Sequence, residues 1–165
     1  MSTGAKENRV MEDPSTITIE DLPYSDSRFM VHFFDDAHIA TVVTASAEEA
    51  SEWVEAILWV HRRRLSRLIV GLDVEWRPNL SRGENNPVAV LQLCVGQRCL
   101  VFQLLHCRDI PYRLSNFLSN RKFKFMVVGI DKDFEKLSSD YNLEVANTID
   151  LRVFAAEVTG RRELR

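Results

Sequence analysis

The sequence predicts an α/β domain built on a mixed β-sheet, with an α+β arrangement as the alternative. Three observations point there. A chain of 165 residues fits one domain and can bury a real core. Its hydrophobic content of 45% and charged content of 27% are those of an ordinary globular protein. Strand-like apolar runs come first as a meander and then alternate with helical patterns.

Residues 1–25 are polar, carry Pro14 and Pro23, and read as a flexible leader to a domain over 26–165. Phe29–Phe34 and Ile39–Thr44 are β-branched and aromatic runs separated by Asp35-Asp36-Ala37, the pattern of a hairpin. Ser46-Ala47-Glu48-Glu49 is a capping box: the Ser46 hydroxyl meets the Glu49 amide and the Glu49 carboxylate reaches back. Trp53, Ile57, Val60 and Arg64 follow at helical spacing, which predicts a helix over about 47–64. His61-Arg62-Arg63-Arg64 would then place cations where the helix dipole favours them. Nuclear targeting and phosphate contact are the other readings of that cluster.

A strand is predicted over about 68–76, apolar enough to be buried on both faces. A polar loop runs from Arg77 to Asn86. Pro87 introduces Val88–Val95, which Gly96-Gln97 turns into Cys99–Phe102 as a hairpin. Tyr112–Asn120 reads as a short helix, Phe125–Ile130 as a buried strand and Asp131–Tyr141 as a helix. Glu144–Asp150 reads as a strand and Leu151–Thr159 as a last helix before Gly160.

Composition narrows the function. No segment approaches the roughly 20 apolar residues that span a bilayer, so no membrane partner is expected. Met1–Asp13 lacks the apolar core of a secretory signal. Cys94, Cys99 and Cys107 form no C-x-x-C pair and read as reduced thiols of an intracellular protein, nuclear or cytoplasmic. The net charge of −3 hides an asymmetry, −9 over residues 1–60 and +6 over 61–165. The basic part suits a polyanionic substrate; charges scattered in solvent are the plainer account.

Within that basic part lies Leu72-Asp73-Val74-Glu75-Trp76. Side chains alternate along a strand, so Asp73 and Glu75 point the same way. Two adjacent carboxylates repel, and a divalent cation relieves the repulsion; hard oxygen ligands on a rigid strand suit Mg²⁺ or Mn²⁺. The plain alternative is a strand end whose acids are simply hydrated. Val128-Gly129-Ile130-Asp131-Lys132-Asp133 is a second acidic element, a strand that ends at a glycine and opens a helix. Asp131 suits the N-cap, and Asp133 either serves the dipole or joins the first two acids.

A D-x-E strand, a hairpin, a helix, then a strand–Gly–helix bearing Asp is the layout of an RNase H-like nuclease. The chain resembles the Werner-type 3′–5′ exonucleases, related to RNase D and called DEDDy nucleases, and lies near their plant members. Leu72–Trp76, then Arg77-Pro78-Asn79 with Arg82-Gly83, Val88–Cys94, Val128–Asp133 with Lys136-Leu137, and Ile149-Asp150-Leu151 carry the resemblance over about 28–160. It implies an RNase H-like mixed sheet flanked by helices, with Asp73, Glu75 and Asp133 as metal ligands in two-metal phosphodiester hydrolysis at single-stranded or recessed 3′ ends. Asp73 would bridge both ions, Glu75 hold the nucleophile-side ion and Asp133 support the second. Trp76 would stack on the terminal nucleotide or pack in the core; Gln92 would orient a ligand or complete a hydrogen-bond network. Asp150 would be structural. A helicase partner and self-association are left open by the sequence.

The family's third motif, Tyr-x-x-x-Asp on a helix, has no match. Tyr24 is followed four residues on by Arg28, Tyr112 by Asn116 and Tyr141 by Val145. His32 and Asp36 form the related His-x-x-x-Asp pattern, but in a hairpin, where such spacing does not converge. The domain is therefore expected to be incomplete at its C-terminus. A non-catalytic protein that binds nucleic acid, or another partner, on the same fold is the alternative function.

Overall fold

Alternation of apolar side chains along β-strands decides which face of this sheet meets the helices. The computed structural model describes residues 17–33, 37–81 and 83–160, with side chains in the helix 130–141 from residue 134 onward. In chain order the elements are β1 (Thr18–Asp21), β2 (Arg28–Phe33), β3 (Ala37–Thr44), α1 (Ala47–Val60), β4 (Ile69–Trp76), β5 (Val88–Val95), β6 (Arg98–Phe102), α2 (Tyr112–Leu118), β7 (Lys124–Val127), α3 (Ile130–Tyr141), β8 (Thr148–Asp150) and α4 (Leu151–Thr159). The strands form one sheet of eight in the order β1-β2-β3-β6-β5-β4-β7-β8. Chain neighbours pair antiparallel in β1–β2, β2–β3, β4–β5 and β5–β6. The β3–β6, β4–β7 and β7–β8 pairs are parallel and need long crossovers. The mixed α/β sheet expected from sequence is the one observed.

The core fills one side. Trp53, Val54 and Ile57 of α1 and Leu114, Phe117 and Leu118 of α2 bury with Val70, Leu72, Val74, Leu93, Leu100 and Phe102 of the sheet. Phe117 stands edge-on to Trp53 and to Phe125, with centroids 6.3 and 6.0 Å apart, a favoured aromatic geometry. Strand β4 is buried on this side alone. Its other face carries Ile69, Asp73 and Glu75 at exposed positions, which corrects the expectation of burial on both faces. α3 packs on β5 and β8, and α4 on β8.

Several expectations need adjustment. Thr18–Asp21, read as leader, pairs with β2 as an edge strand; residues 1–16 lie outside the described residues, as do Asp35, Asp36 and Arg82. α1 ends at Val60, so the basic cluster lies in the turn beyond it. Arg62 nonetheless serves the helix end: its Nη1 donates to the Trp59 carbonyl at 2.8 Å, and its guanidinium lies 4.2 Å from the centre of the Trp59 ring. The residue before α3 is Gly129 at φ +83°, and Asp131 lies inside the helix rather than at its cap. Cys94 and Cys99 are bonded as a disulfide, with Cα atoms 4.3 Å apart. They are direct partners across the β5–β6 ladder, and a hairpin turn between them brings i and i+5 face to face. The reading of all three cysteines as thiols overlooked that register; Cys107 alone is free. No helix among the described residues is long and apolar enough to cross a membrane.

The capping box is built differently from its expected form. Ser46 Oγ accepts from the Glu49 amide at 3.3 Å as predicted. The Glu49 carboxylate turns away and accepts from Ser27 Oγ at 2.6 Å and from Thr44 Oγ1. Thr44 Oγ1 in turn accepts from the Ser46 amide at 2.9 Å. One carboxylate thus ties α1 to the end of β3 and to the segment before β2. The Ser27 and Thr44 bonds, with Arg28 nearby, hold its carboxyl below the usual value against the opposing effect of burial. Glu49 therefore contributes stability above its unfolded pKa of about 4.3, and the contribution is lost as pH falls through its lower native value. Glu49→Gln is expected to lose about 1–3 kcal/mol at pH 7 in urea unfolding. The gap to the parent should narrow on acidification below about pH 4.3.

Candidate active site

The two acids of β4 stand on the face opposite the core, one residue apart, both exposed. Neither takes part in an ion pair among the described residues. Across the ladder Asp73 faces Gln92 and Glu75 faces Val90. Gln92 is half-buried on that same face. The register shifts between Glu75 and Trp76 and sets Trp76 opposite Val88. Such a bulge re-aims the side chain at a strand end, and Trp76 packs half-buried against the core.

The second acidic element arrives from the other side of β4. β7 runs parallel to β4, with Val70 beside Phe125 and Gly71 beside Met126. The chain therefore leaves β7 at the same end of the sheet to which Asp73 and Glu75 belong. It turns at Val128-Gly129 and enters α3, with Asp133 in the first turn. The carboxyl ends of parallel strands, followed by a helix N-terminus, are where open sheets place ligand sites. The side chain of Asp133 lies outside the described residues, and among the described residues no three metal-ligating side chains gather in one cluster. What the donor set offers a divalent cation is two hard carboxylates, unpaired and fixed on one strand, which fits such an ion.

Two carboxylates that sequence reading did not place among the site residues, or placed only as structural, hold its frame. Asp140 of α3 accepts from the Val88 amide at 2.9 Å and pairs with Lys136 at 3.1 Å. Lys136 also donates to Asn85 Oδ1 at 3.2 Å. Tyr141 donates its hydroxyl to the Val88 carbonyl at 2.7 Å, and burial, with Cys107 and Asp140, raises its pKa. The start of β5 and the end of the loop after β4 are thereby clamped to α3. The one sequence signal was the i, i+4 spacing of Lys136 and Asp140. Asp150, expected to be structural, caps α4 through the Arg152 amide at 2.8 Å and holds the Arg152 guanidinium, also at 2.8 Å. These bonds, together with the Gly129 amide, keep its carboxyl far below the usual range. Gly129 is the left-handed residue at the entry to α3, so Asp150 braces the turn that delivers Asp133. His32 hydrogen-bonds His38, Nδ1 to Nδ1 at 2.7 Å, and its strand lies four places from β4 in the sheet.

Comparison with known proteins places this geometry in context. The family model described as 3′–5′ exonuclease matches residues 40–164. The chain is 32% identical over 152 residues to a 3′–5′ exonuclease of Drosophila virilis, covering 87% of this chain and 43% of that protein. It is 34% identical over 90 residues to the bifunctional 3′–5′ exonuclease/ATP-dependent helicase WRN of Mus musculus, covering 54% of this chain and 6% of that one. A crystal structure of the EXD2 exonuclease domain soaked in Mn and Mg matches with a TM-score of 0.60 at 26% identity, over 73% of this chain and 60% of that domain. The chain thus spans less than half the length of these two relatives.

The Val88 clamp carries a direct prediction. Asp140→Ala strands Lys136, whose side chain is 14% exposed, and leaves a backbone donor without its acceptor. The loss is expected to be about 3 kcal/mol in urea unfolding. Tyr141→Phe, which removes one hydrogen bond and keeps the ring, should lose only about 1 kcal/mol in the same measurement.

Proposed function

The chain belongs to the 3′–5′ exonuclease family, and we propose that it is a Werner-type, DEDDy member that acts on single-stranded or recessed 3′ ends of nucleic acid, with divalent metal held by Asp73, Glu75 and Asp133. The observation that carries this reading is the pair of carboxylates on β4, without an ion-pair partner among the described residues, at the end of the sheet where α3 begins. The likeness to a domain whose crystals were soaked in Mn and Mg supports Mg²⁺ or Mn²⁺ as the ions. The excess of +6 over residues 61–165 supports a polyanionic substrate.

When bound, the ions polarise the scissile phosphate and lower the pKa of the attacking water. The chain's own residues supply the rest. Asp73 and Glu75 hold from one rigid strand, so their spacing does not drift. Gln92, opposite Asp73, offers an amide donor to a phosphate oxygen. Asp150 and Gly129 fix the turn that sets Asp133 in place. The loop after Trp76 borders the same end and bounds the terminal nucleotide.

The second reading is a protein that binds 3′ ends without cleaving them; the charge of +6 over residues 61–165 serves binding whether or not cleavage follows.

Hydrolysis of a 5′-labelled single-stranded oligonucleotide by the purified chain in Mn²⁺ separates the two. A ladder shortening from the 3′ end, abolished by EDTA and by Asp73→Ala, is expected. Salt-dependent binding with no ladder would transfer the assignment to the binding reading.

A further inference from the structure

Two adjoining cavities lie on the α1 side of the sheet. By strand parity this is the side away from Asp73: Asp73 pairs with Gln92, and Arg98 pairs with Val95, three residues on. The inner cavity, about 130 Å³, lies between α1 and β3 and is lined by Trp53, Arg28 and Arg98 among others. The outer one, about 470 Å³, lies by the β5–β6 turn and is lined by Arg98, His61, Arg64 and His38 among others. Arg98 lines both. No carboxylate is among the described residues that line either.

Two donors here, Trp53 and Arg98, lack an acceptor among the described residues. Trp53 is 7% exposed, and its Nε1–H is the one buried side-chain polar atom without a hydrogen bond among the described residues. An indole N–H left unpaired in a core weakens folding unless something accepts from it. Arg98 takes part in no ion pair among the described residues. His61 is buried, and its Nδ1 accepts from Arg64 Nε at 3.2 Å, which leaves its proton on Nε2 as a further donor. Arg28 is the partial exception, with Glu52 3.8 Å away.

We propose that this double cavity binds a phosphate group, free or carried on a mononucleotide, as an anion site separate from the carboxylates of β4. A tetrahedral oxyanion fits the inner volume and accepts from Trp53 and Arg98 together. The outer volume lies in the range of small-molecule pockets and leaves room for a nucleoside. Occupation would satisfy the orphaned indole and neutralise the crowded cations; burial, and after it the charges of Arg64 and Arg98, hold His61 below its ordinary pKa.

The test is isothermal titration calorimetry on the whole chain in EDTA, so that binding through metal on Asp73 and Glu75 is suppressed and the result does not depend on nuclease activity. The titrants are inorganic phosphate, adenosine 5′-monophosphate and adenosine. Phosphate and the monophosphate are expected to bind and adenosine is not. A tighter monophosphate assigns the outer cavity to the nucleoside; equal affinities assign the site to free phosphate. Trp53→Phe keeps the aromatic packing and is expected to weaken binding about tenfold, as is Arg98→Gln at an exposed position. Asp73→Ala should leave binding unchanged. The proposal fails if neither anion binds, or if binding survives Arg98→Gln undiminished, in which case the indole donates only to a buried water.

Discussion

The alternation of side chains along β4 is the constraint on which the rest depends. Val70, Leu72 and Val74 must face α1 and α2 to close the core, and that requirement turns Asp73 and Glu75 to the opposite face together. A slip of one residue would bury two carboxylates and expose three aliphatic side chains, a cost of several kcal/mol per buried charge. The apolar half of the strand thus specifies where the acidic half points. Chemistry at the site inherits its geometry from hydrophobic burial on the other side of the sheet.

Carboxylates outside the proposed metal set complete the frame. Glu49 joins α1 to β3, Asp140 joins α3 to β5, and Asp150 joins the start of α4 to the turn before α3. Glu49 accepts from two hydroxyls, whereas Asp140 and Asp150 accept from backbone amides at an element's end. Those amides could have been left to water, but then the loop after β4 and the entry to α3 would be free to move relative to the strand between them.

Much of this was legible in the chain. The order of strands and helices, the β5–β6 hairpin and the limits of α4 follow from period and turn residues. The acids of β4 were found because a D-x-E at the end of an apolar run is anomalous. What escaped notice shares one cause: it depends on which residues stand opposite each other. The Cys94–Cys99 bond, the edge pairing of Thr18–Asp21 and the contacts of Glu49 with Ser27 and of Asp140 with Val88 all join positions that local pattern does not connect. Exposure of one face of β4 was missed for the same reason, since a run of apolar residues does not say how many layers cover it.

The placement of β4 between β5 and β7 has a consequence for synthesis. β5 follows β4 closely, but β7 ends at Val127. Until the ribosome has released that residue, the strand bearing Asp73 and Glu75 has one neighbour and an unpaired backbone edge. β3 waits likewise for β6, which ends at Phe102. Nascent chains of this protein therefore carry two open parallel edges between residues 76 and 102 and one until residue 127, a state in which pairing with another chain competes with completion of the fold. A chaperone that shields strand edges would act on this protein mainly before residue 127 has emerged.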